Sequence, residues 1–209
     1  MNQADLLARG LAGLGLDLPA AARERLLAYA ALLVKWNKVY NLTAIRDPAE
    51  IVTHHLLDSL AVLPRLGGVR TLADIGSGGG LPGIPLAIAR SELAVTSIET
   101  VNKKASFQQQ AKIELALTNF TPLCARVEQV RPDAPFDGVV SRAFSDLADF
   151  VRLTSHLIAP EGRLYAMKGG YPREEIAALP AGWAVESSIE LQVPELPAER
   201  HLLVLKRNP

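Results

Sequence analysis

A glycine-rich segment follows an apolar run that ends in Asp74: five glycines lie within the eight residues from 76 to 83. Glycine lacks a Cβ atom, so this loop can turn sharply and bring its backbone against a ligand. Asp74 can accept hydrogen bonds from the amino-acid end of an adenosyl cofactor, directly or through water. Asp74, Gly76 and Gly78 therefore predict a cofactor site at the end of a strand, with a purely structural glycine turn as the alternative.

The spacing of the glycines distinguishes between kinds of nucleotide-binding loop. A dinucleotide-binding loop would require glycine at positions 76, 78 and 81, but position 81 is Leu. A Walker phosphate loop would require Gly-Lys-Ser or Gly-Lys-Thr, and neither follows. The loop thus favours S-adenosylmethionine and methyl transfer, with a nicotinamide dehydrogenase as a more distant alternative.

Two further segments fit a nucleoside cofactor. Glu99 ends the next predicted strand, 25 residues after Asp74, and an acidic residue about 20 residues after such a loop is the usual acceptor for ribose hydroxyls. Val127 and Glu128 follow the third predicted strand, where the adenine ring is usually flanked. Both carboxylates could instead be exposed charges at strand ends.

Other residue types restrict the reaction. The sequence lacks the Asn-Pro-Pro-Tyr or Asp-Pro-Pro-Tyr segment used to methylate exocyclic amines. Cys124 could be a nucleophile for methylating a pyrimidine carbon, but its place in a predicted buried strand favours a small core residue. No His and carboxylates have metal-ligand spacing, so we expect no metal. Guanine N7 has a lone pair and no proton, so it needs none of these groups, although this permits N7 without selecting it.

Composition sets wider bounds. The chain has 209 residues, 49% hydrophobic and 21% charged, which is typical of a soluble globular protein. Lys and Arg equal Asp and Glu at 22 each, so contact with nucleic acid would need a local basic patch. The single cysteine excludes an internal disulfide. The absence of a signal peptide and of a long apolar run predicts a cytoplasmic protein without membrane contact.

The elements that position these residues change type near Gly67-Gly68. Residues 1–68 show apolar stripes at helical spacing and predict a helical segment packed on the core, in which Asp47 caps a helix beginning at Pro48. Residues 69–209 alternate strands with helices, including a helix capped by Asn102 and one over 147–158, which predicts a mostly parallel sheet covered on both faces. The predicted strands span 70–75, 94–99, 121–125, 136–141, 163–168, 183–193 and 201–206.

Several motifs together resemble one family, the bacterial small-subunit ribosomal RNA (guanine-N7) methyltransferases, also called glucose-inhibited division protein B. The resemblance runs from about residue 20 to the end of the chain. The motifs are WNKVYNLT at 36–43, HLLDSL at 55–60, DIGSGGGLPG at 74–83, Lys103-Lys104 with Phe107, Phe136-Asp137, Ser141-Arg142-Ala143, Lys168-Gly169 and Glu199-Arg200-His201.

The resemblance implies a Rossmann-like class I methyltransferase with a doubly wound, mostly parallel seven-stranded sheet and an N-terminal helical extension. It implies methyl transfer from S-adenosylmethionine, with S-adenosylhomocysteine as product, to N7 of one guanine in 16S rRNA near the decoding centre. The partner would be 16S rRNA or the small ribosomal subunit, and we expect a monomer. The alternatives are a methyltransferase of another RNA or of a small molecule, and a non-catalytic ribosome-assembly factor.

The resemblance also assigns cofactor contacts to Gly76, Leu81, Val127-Glu128 and Arg142. This sequence has Leu81 where many members have Phe, and Glu99 where Asp is usual, so the ribose hydrogen bond could differ in detail.

Arg142 follows a predicted strand at the edge that faces the crevice, so it could bind a phosphate or a guanine, or pair with a carboxylate such as Asp74. We assign no catalytic residue but consider Arg142 and Lys168 candidates for positioning the substrate. His55 and Asp58 share a helix face and could pair as a structural lock between the helical front and the sheet. The candidate RNA contacts are Lys38, Arg46, His55, Lys103, Lys104, Lys168 and Arg200.

Overall fold

The computed structural model describes residues 2–142, 144 and 146–208. Seven strands form a single sheet: β1 Thr71–Ile75, β2 Ala94–Glu99, β3 Phe120–Cys124, β4 Phe136–Ser141, β5 Ile158–Lys168, β6 Trp183–Glu190 and β7 His201–Arg207. The helices are α1 Gln3–Gly13, α2 Ala20–Tyr40, α3 Pro48–Ile51, α4 Asp58–Leu60, α5 Gly83–Ala89, α6 Asn102–Glu114, α7 Leu147–Thr154 and α8 Arg173–Ala177.

The front of the chain is helical, as its apolar stripes predict. Asp47 caps α3 by accepting hydrogen bonds from the backbone N–H groups of Ala49 and Glu50. Between α3 and α4 the chain forms a π-helical turn over Val52–Leu57, a feature that is frequent at functional sites. The sequence predicts one continuous helix here and does not reveal the wider turn, since its apolar spacing is satisfied by both.

The strand order is β3-β2-β1-β4-β5-β7-β6. The first five strands run parallel, whereas β7 pairs antiparallel with both β5 and β6. The order reverses between β1 and β4, so the carboxyl ends of these two strands flank the crevice where doubly wound sheets bind ligands. The predicted mostly parallel, seven-stranded sheet is confirmed.

Three local predictions are wrong. The helix predicted over 147–158 ends at Thr154, because Ile158 already pairs with Phe136 and begins β5. Asn102 is the first residue of α6, not its cap, and its Oδ1 accepts a hydrogen bond from the Ser106 hydroxyl. Cys124 is exposed, because it ends β3 at the edge of the sheet.

Two apolar clusters cover the faces of the sheet. One combines helical residues such as Leu26 and Leu57 with the strand residues Leu72 and Val95. The other packs α7, including Phe150, against the opposite face. Because helices and strands share the first cluster, the front is held against the side of the sheet that carries the glycine loop. No helix in the described part of the chain is long and apolar enough to cross a membrane.

Candidate active site

The glycine loop after β1 depends on backbone conformations that favour glycine. Gly76, Gly78 and Gly80 have φ angles of 67°, 58° and 87°, all in the left-handed region. A Cβ atom on Gly80 would lie 2.3 Å from Ile84 Cδ1, whereas one on Gly76 or Gly78 would project into open space. Gly80 therefore serves packing as well as the turn, while Gly76 and Gly78 leave a bare backbone surface that a ligand can approach.

Side chains from β2 and α6 fix this loop. Glu99 accepts hydrogen bonds from Gly78 N at 2.8 Å and from Val101 N at 2.9 Å. Gln108 donates through Nε2 to the Ser77 hydroxyl and to the Gly78 carbonyl, both at 2.8 Å. A carboxylate offers about four acceptor positions, so Glu99 can hold the loop and still accept a hydrogen bond from a ligand hydroxyl.

The helical front also contacts the loop. The buried Tyr29 hydroxyl, on α2, donates a 2.6 Å hydrogen bond to the Gly79 carbonyl. Burial raises the pKa of Tyr29, so the phenol keeps the proton that this bond needs. The sequence does not reveal this role of Tyr29, because the residue lies 50 positions before Gly79, within an ordinary apolar stripe.

Asp74 is fully buried beneath the loop. Its Oδ2 atom accepts a 2.7 Å hydrogen bond from Gly83 N at the start of α5, whereas Oδ1 has no partner among the described atoms. Burial raises the pKa of Asp74 to about 7, with Glu99 adding to the rise. Because Asp74 lies beneath the loop, this placement favours an indirect effect on the cofactor, through the position of the loop, over direct contact. The role of Asp74 in cofactor binding stays a prediction.

The loop forms one wall of a cleft of about 260 Å³ at the carboxyl ends of β1 to β4. We call it the glycine-loop cleft; its lining residues are Ile75, Gly76, Ile98, Thr100, Ala125, Arg126, Val127, Glu128, Ser141 and Phe144. Apolar walls, with the bare backbone of Gly76 and the carboxylates of Glu99 and Glu128 near them, fit an adenosyl group, which has a flat ring and a ribose.

The predicted cofactor residues do not all meet at this cleft. Gly76, Val127 and Glu128 line it, and Gly78 and Glu99 form the adjoining loop contact. Leu81 is buried in the apolar core. Its proposed contact therefore lacks support from this geometry. Thr100 and Arg126 also line the cleft; they could have been predicted, because they lie one and two residues after strands whose ends face the crevice.

A second cleft, of about 340 Å³, lies between the front and the sheet. We call it the arginine cleft; its lining residues are Ile45, His54, His55, Asp58, Arg142, Met167, Lys168, Gly169 and Arg200. At its centre Asp58, only 2% exposed, accepts from Arg142 Nη1 at 3.1 Å and from Arg200 Nε at 2.9 Å. The Asp58 carboxylate therefore orients two guanidinium groups that come from different strand ends. The two positive charges exceed its single negative charge, so the cluster is cationic.

His55 supports Arg142 from the other side. Its Nε2 atom lies 2.8 Å from the Thr43 hydroxyl, and its Nδ1 atom lies 3.5 Å from Arg142 Nη2. Burial, followed by the Arg142 charge, lowers the pKa of His55 to about 4, so this imidazole is neutral near pH 7. A neutral, buried His55 is unsuited to pairing with a phosphate. His55 and Asp58 join front and sheet through Arg142, and not by pairing directly as we predicted.

Lys168 is also engaged within the protein. Its Nζ atom donates to the Phe144 carbonyl at 3.1 Å and to Glu175 Oε2 at 2.7 Å, and its side chain is 10% exposed. It thereby ties the segment after β4 to α8, which favours a structural role over direct phosphate binding. Among the other cations, Lys38, Arg46 and Lys103 are exposed and Lys104 is partly buried. Ala143 of the Ser141-Arg142-Ala143 motif lies outside the described residues.

The two clefts adjoin at the end of β4. Ser141 lines the glycine-loop cleft and the next residue, Arg142, lines the arginine cleft. Ser141 is anchored by donating a 2.8 Å hydrogen bond to the Ile75 carbonyl. Ligands in the two clefts would therefore be neighbours at the end of β4, as group transfer between them requires.

Solved structures with this fold include several methyltransferases. An S-adenosylmethionine-dependent methyltransferase from Aquifex aeolicus matches with a TM-score of 0.59 at 18% identity, covering 82% of this chain and 96% of the other. The O-methyltransferase from Bacillus cereus in complex with S-adenosylhomocysteine matches with a TM-score of 0.60 at 17% identity, covering 86% and 91%. At these identities the likeness shows the class I methyltransferase fold.

Similarity in sequence is much higher to proteins named ribosomal RNA small subunit methyltransferase G. The chain is 68% identical to the one from Azoarcus sp. (strain BH72) over 97% of this chain and 95% of the relative. It is 54% identical to the one from Nitrosospira multiformis over 99% of each. The family model described as rRNA small subunit methyltransferase G matches residues 22–203. The chain belongs to the rRNA small subunit methyltransferase G family.

Proposed function

We propose that this protein transfers the methyl group of S-adenosylmethionine to N7 of one guanine in 16S rRNA. The observation that carries the proposal is the junction at Ser141-Arg142, where the glycine-loop cleft meets the arginine cleft. The first cleft suits an adenosyl cofactor and the second presents two guanidinium groups to an anionic, oxygen-rich ligand. The names of the relatives specify small-subunit ribosomal RNA as their substrate.

The glycine-loop cleft would hold the cofactor through few groups. Gly76 and Gly78 offer backbone that a ligand can approach closely, and Glu99 supplies a carboxylate for the ribose hydroxyls. Val127 and Glu128 line the end of the cleft expected to receive adenine. When bound, S-adenosylmethionine supplies an electrophilic methyl group on its sulfonium.

The arginine cleft would hold the guanine. Guanine presents two acceptors, O6 and N7, on one edge, and arginine pairs well with such an edge. A hydrogen bond from Arg142 or Arg200 to O6 would leave the N7 lone pair free to face the neighbouring cleft. N7 carries no proton, so no general base is required and the protein's contribution is alignment. Asp58 contributes by keeping both guanidinium groups at the cleft.

The wider setting follows from the same proposal. Contact with RNA phosphates outside the arginine cleft would come from Lys38, Arg46, Lys103 and Lys104, because these cations are less engaged within the protein than Lys168 and Arg200. The partner would be 16S rRNA or the small ribosomal subunit, in the cytoplasm. We also propose that residues 1–68 and 69–209 act as one compact unit, since α2 contributes Tyr29 to the glycine loop and Asp58 lies between Arg142 and Arg200.

The proposal is tested with methyl-labelled S-adenosylmethionine. The protein is incubated separately with naked 16S rRNA, with small subunits lacking the modification and with a metabolite mixture. The nucleosides are then identified by mass spectrometry. We expect labelled 7-methylguanosine from rRNA or from small subunits. Label confined to metabolites, or to a different nucleoside, would overturn the proposal.

A further inference from the structure

A smaller pocket of about 210 Å³ lies between the end of α2 and the segment that leads to α3. We call it the front pocket; its lining residues are Val34, Asn37, Lys38, Ile45, Arg46 and Ile51. A water molecule takes about 30 Å³ of liquid, so the space is large enough for a flat organic ring. Three of the six lining residues are aliphatic, and two others are cationic.

The wall of this pocket is built by specific hydrogen bonds. Asn37 is buried and bridges the chain: its Nδ2 donates to the Ile45 carbonyl at 3.2 Å, and its Oδ1 accepts from Thr43 N at 2.9 Å. The Thr43 hydroxyl accepts from Ile45 N at 3.1 Å and contacts His55. The segment carrying Ile45 and Arg46 is thus held in place. Through Thr43 it is also linked to His55, which contacts Arg142.

The cations at this pocket have no ion-pair partner among the described residues. Lys38 and Arg46 are exposed, and neither forms an ion pair with another residue in the described part of the chain. The carboxylate next to Arg46, that of Asp47, accepts the N–H bonds that cap α3. The same end of α2 exposes Val39 at 71% and Tyr40 at 39%. This surface combines positive charge with uncovered apolar area.

Ile45 connects the pocket to the proposed active site, because it lines both the front pocket and the arginine cleft. A chain of nucleotides that places one base in the arginine cleft would therefore pass the front pocket. Proteins that recognise single-stranded RNA commonly receive unstacked bases in apolar sites while cations hold the adjoining phosphates. The front pocket has both kinds of group, with aliphatic side chains for a base and two cations for phosphates.

We propose that the front pocket binds one unpaired nucleotide of the RNA substrate, close in sequence to the guanine in the arginine cleft. Its base lies against Val34 and Ile45, and its phosphates are held by Lys38 and Arg46. This inference rests on the proposed function for the identity of the RNA. It adds a second nucleotide site in the helical front, which explains how a chain without net charge can hold RNA locally.

The test separates RNA binding from methyl transfer. Affinity for 16S rRNA is measured by filter retention over a range of salt concentrations for three proteins: Lys38→Ala/Arg46→Ala, Val34→Phe and the control Arg25→Ala. Arg25 is an exposed cation on the first half of α2, away from the pocket. Cofactor affinity and the thermal unfolding midpoint are measured in parallel, so that a folding defect is recognised.

The double variant should weaken RNA binding about tenfold. It should also make the slope of log affinity against log salt concentration shallower by about 1.4, since each phosphate contact on a single strand contributes about 0.7 to that slope. Val34→Phe, which fills the pocket, should weaken binding with the salt dependence unchanged. Arg25→Ala should behave as the wild type. The inference is overturned if folded Val34→Phe binds RNA normally, or if Arg25→Ala weakens binding as much as the double variant.

Failure of the proposed function gives a different result. Wild-type protein that binds 16S rRNA through the front pocket but transfers no methyl group to it would support the pocket and contradict the proposed reaction. Wild-type transfer to guanine N7, with RNA affinity insensitive to every front-pocket variant, would support the reaction and overturn the pocket.

Discussion

The glycine-loop cleft and the arginine cleft meet at Ser141-Arg142 but are built in different ways. The first is shaped by backbone, with glycines at positive φ and a hydrogen bond from Gly78 N to Glu99. The second is shaped by side-chain charge, with Asp58 between two arginines. A backbone site tolerates little change in residue type, whereas a charged site can be adjusted one group at a time. The two clefts should therefore respond to different substitutions.

The largest expected effect on cofactor binding comes from Gly78→Ala. Its φ of 58° would cost an alanine roughly 1–2 kcal/mol, and the new methyl group would occupy the open side of the loop. We expect a folded protein whose affinity for S-adenosylmethionine, measured by calorimetry, falls at least about tenfold. Gly182→Ala is the matched control, because Gly182 has a φ of 81° and equally open surroundings. Equal cofactor affinity in the two variants would contradict the backbone account of the cleft.

Asp58→Asn should affect the other cleft. It leaves Arg142 and Arg200 without their shared carboxylate, so we expect a loss of about 2 kcal/mol in the free energy of unfolding, moderated by the partial exposure of both arginines. Methyl transfer should fall more than tenfold while cofactor affinity is retained. In the control Asp149→Asn, an exposed pair with Arg152 is lost, which should cost under about 0.5 kcal/mol. Similar losses in both variants would contradict the special role of Asp58.

The two regions should also differ in the sign of their pH dependence. The pKa of His55 is lowered to about 4, so the unfolded chain binds its proton more readily and the contribution of His55 to stability is lost as pH falls from 6.5 to 4. The pKa of Asp74 is raised to about 7, so its contribution is present at low pH and is lost as pH rises from 4 to 7. Each group changes the slope of the free energy of unfolding against pH by at most about 1.4 kcal/mol per pH unit.

These opposite signs are separable by denaturant unfolding between pH 4 and 7. His55→Gln should make stability fall more with rising pH than in the wild type, whereas Asp74→Asn should make it rise more. Asparagine at position 74 can still accept the hydrogen bond from Gly83 N. Slopes that change in the same direction in both variants would show that at least one of the two pKa shifts is assigned the wrong sign.

The smallest expected effect is that of Tyr29→Phe. It removes one buried hydrogen bond to the Gly79 carbonyl, so we expect a loss of about 1 kcal/mol in the free energy of unfolding and a cofactor affinity lowered only a few-fold. Tyr165→Phe is the control, since Tyr165 is likewise buried but lies away from the loop. Unchanged cofactor affinity in Tyr29→Phe would mean that the front does not support the glycine loop.

The fold and the cofactor cleft were largely predictable because their signals are local. The loop is identified by a strand that is followed by glycines. Glu99 is identified as an acidic residue at the end of the next strand, and neither assignment needs knowledge of the remaining contacts. Leu81 is different, since its position in the motif says nothing about burial, and its cofactor contact stays a prediction. Cys124 was wrongly predicted to be buried because strand order, which places β3 at an edge, is not encoded in the apolar run itself.

The arginine cleft could be anticipated only in part. Arg142 follows a strand and was a reasonable candidate, but its partner Asp58 lies 84 positions earlier and Arg200 contacts Asp58 across 142 positions. Such long-range pairs leave no periodic signal. Lys168 showed the opposite problem: its place at the end of β5 suggested an open cation, whereas it forms an ion pair with Glu175 on α8.

The most direct test of this division is to measure Arg142→Ala in two ways. Calorimetry gives its affinity for S-adenosylmethionine, and single-turnover transfer to small subunits gives its rate at saturating cofactor. If Arg142 acts in the arginine cleft, affinity should stay within about twofold of the wild type while the rate falls about 100-fold, or roughly 2.7 kcal/mol. A cofactor affinity lowered tenfold or more, with a normal rate at saturation, would place Arg142 in the cofactor site and contradict the division between the clefts.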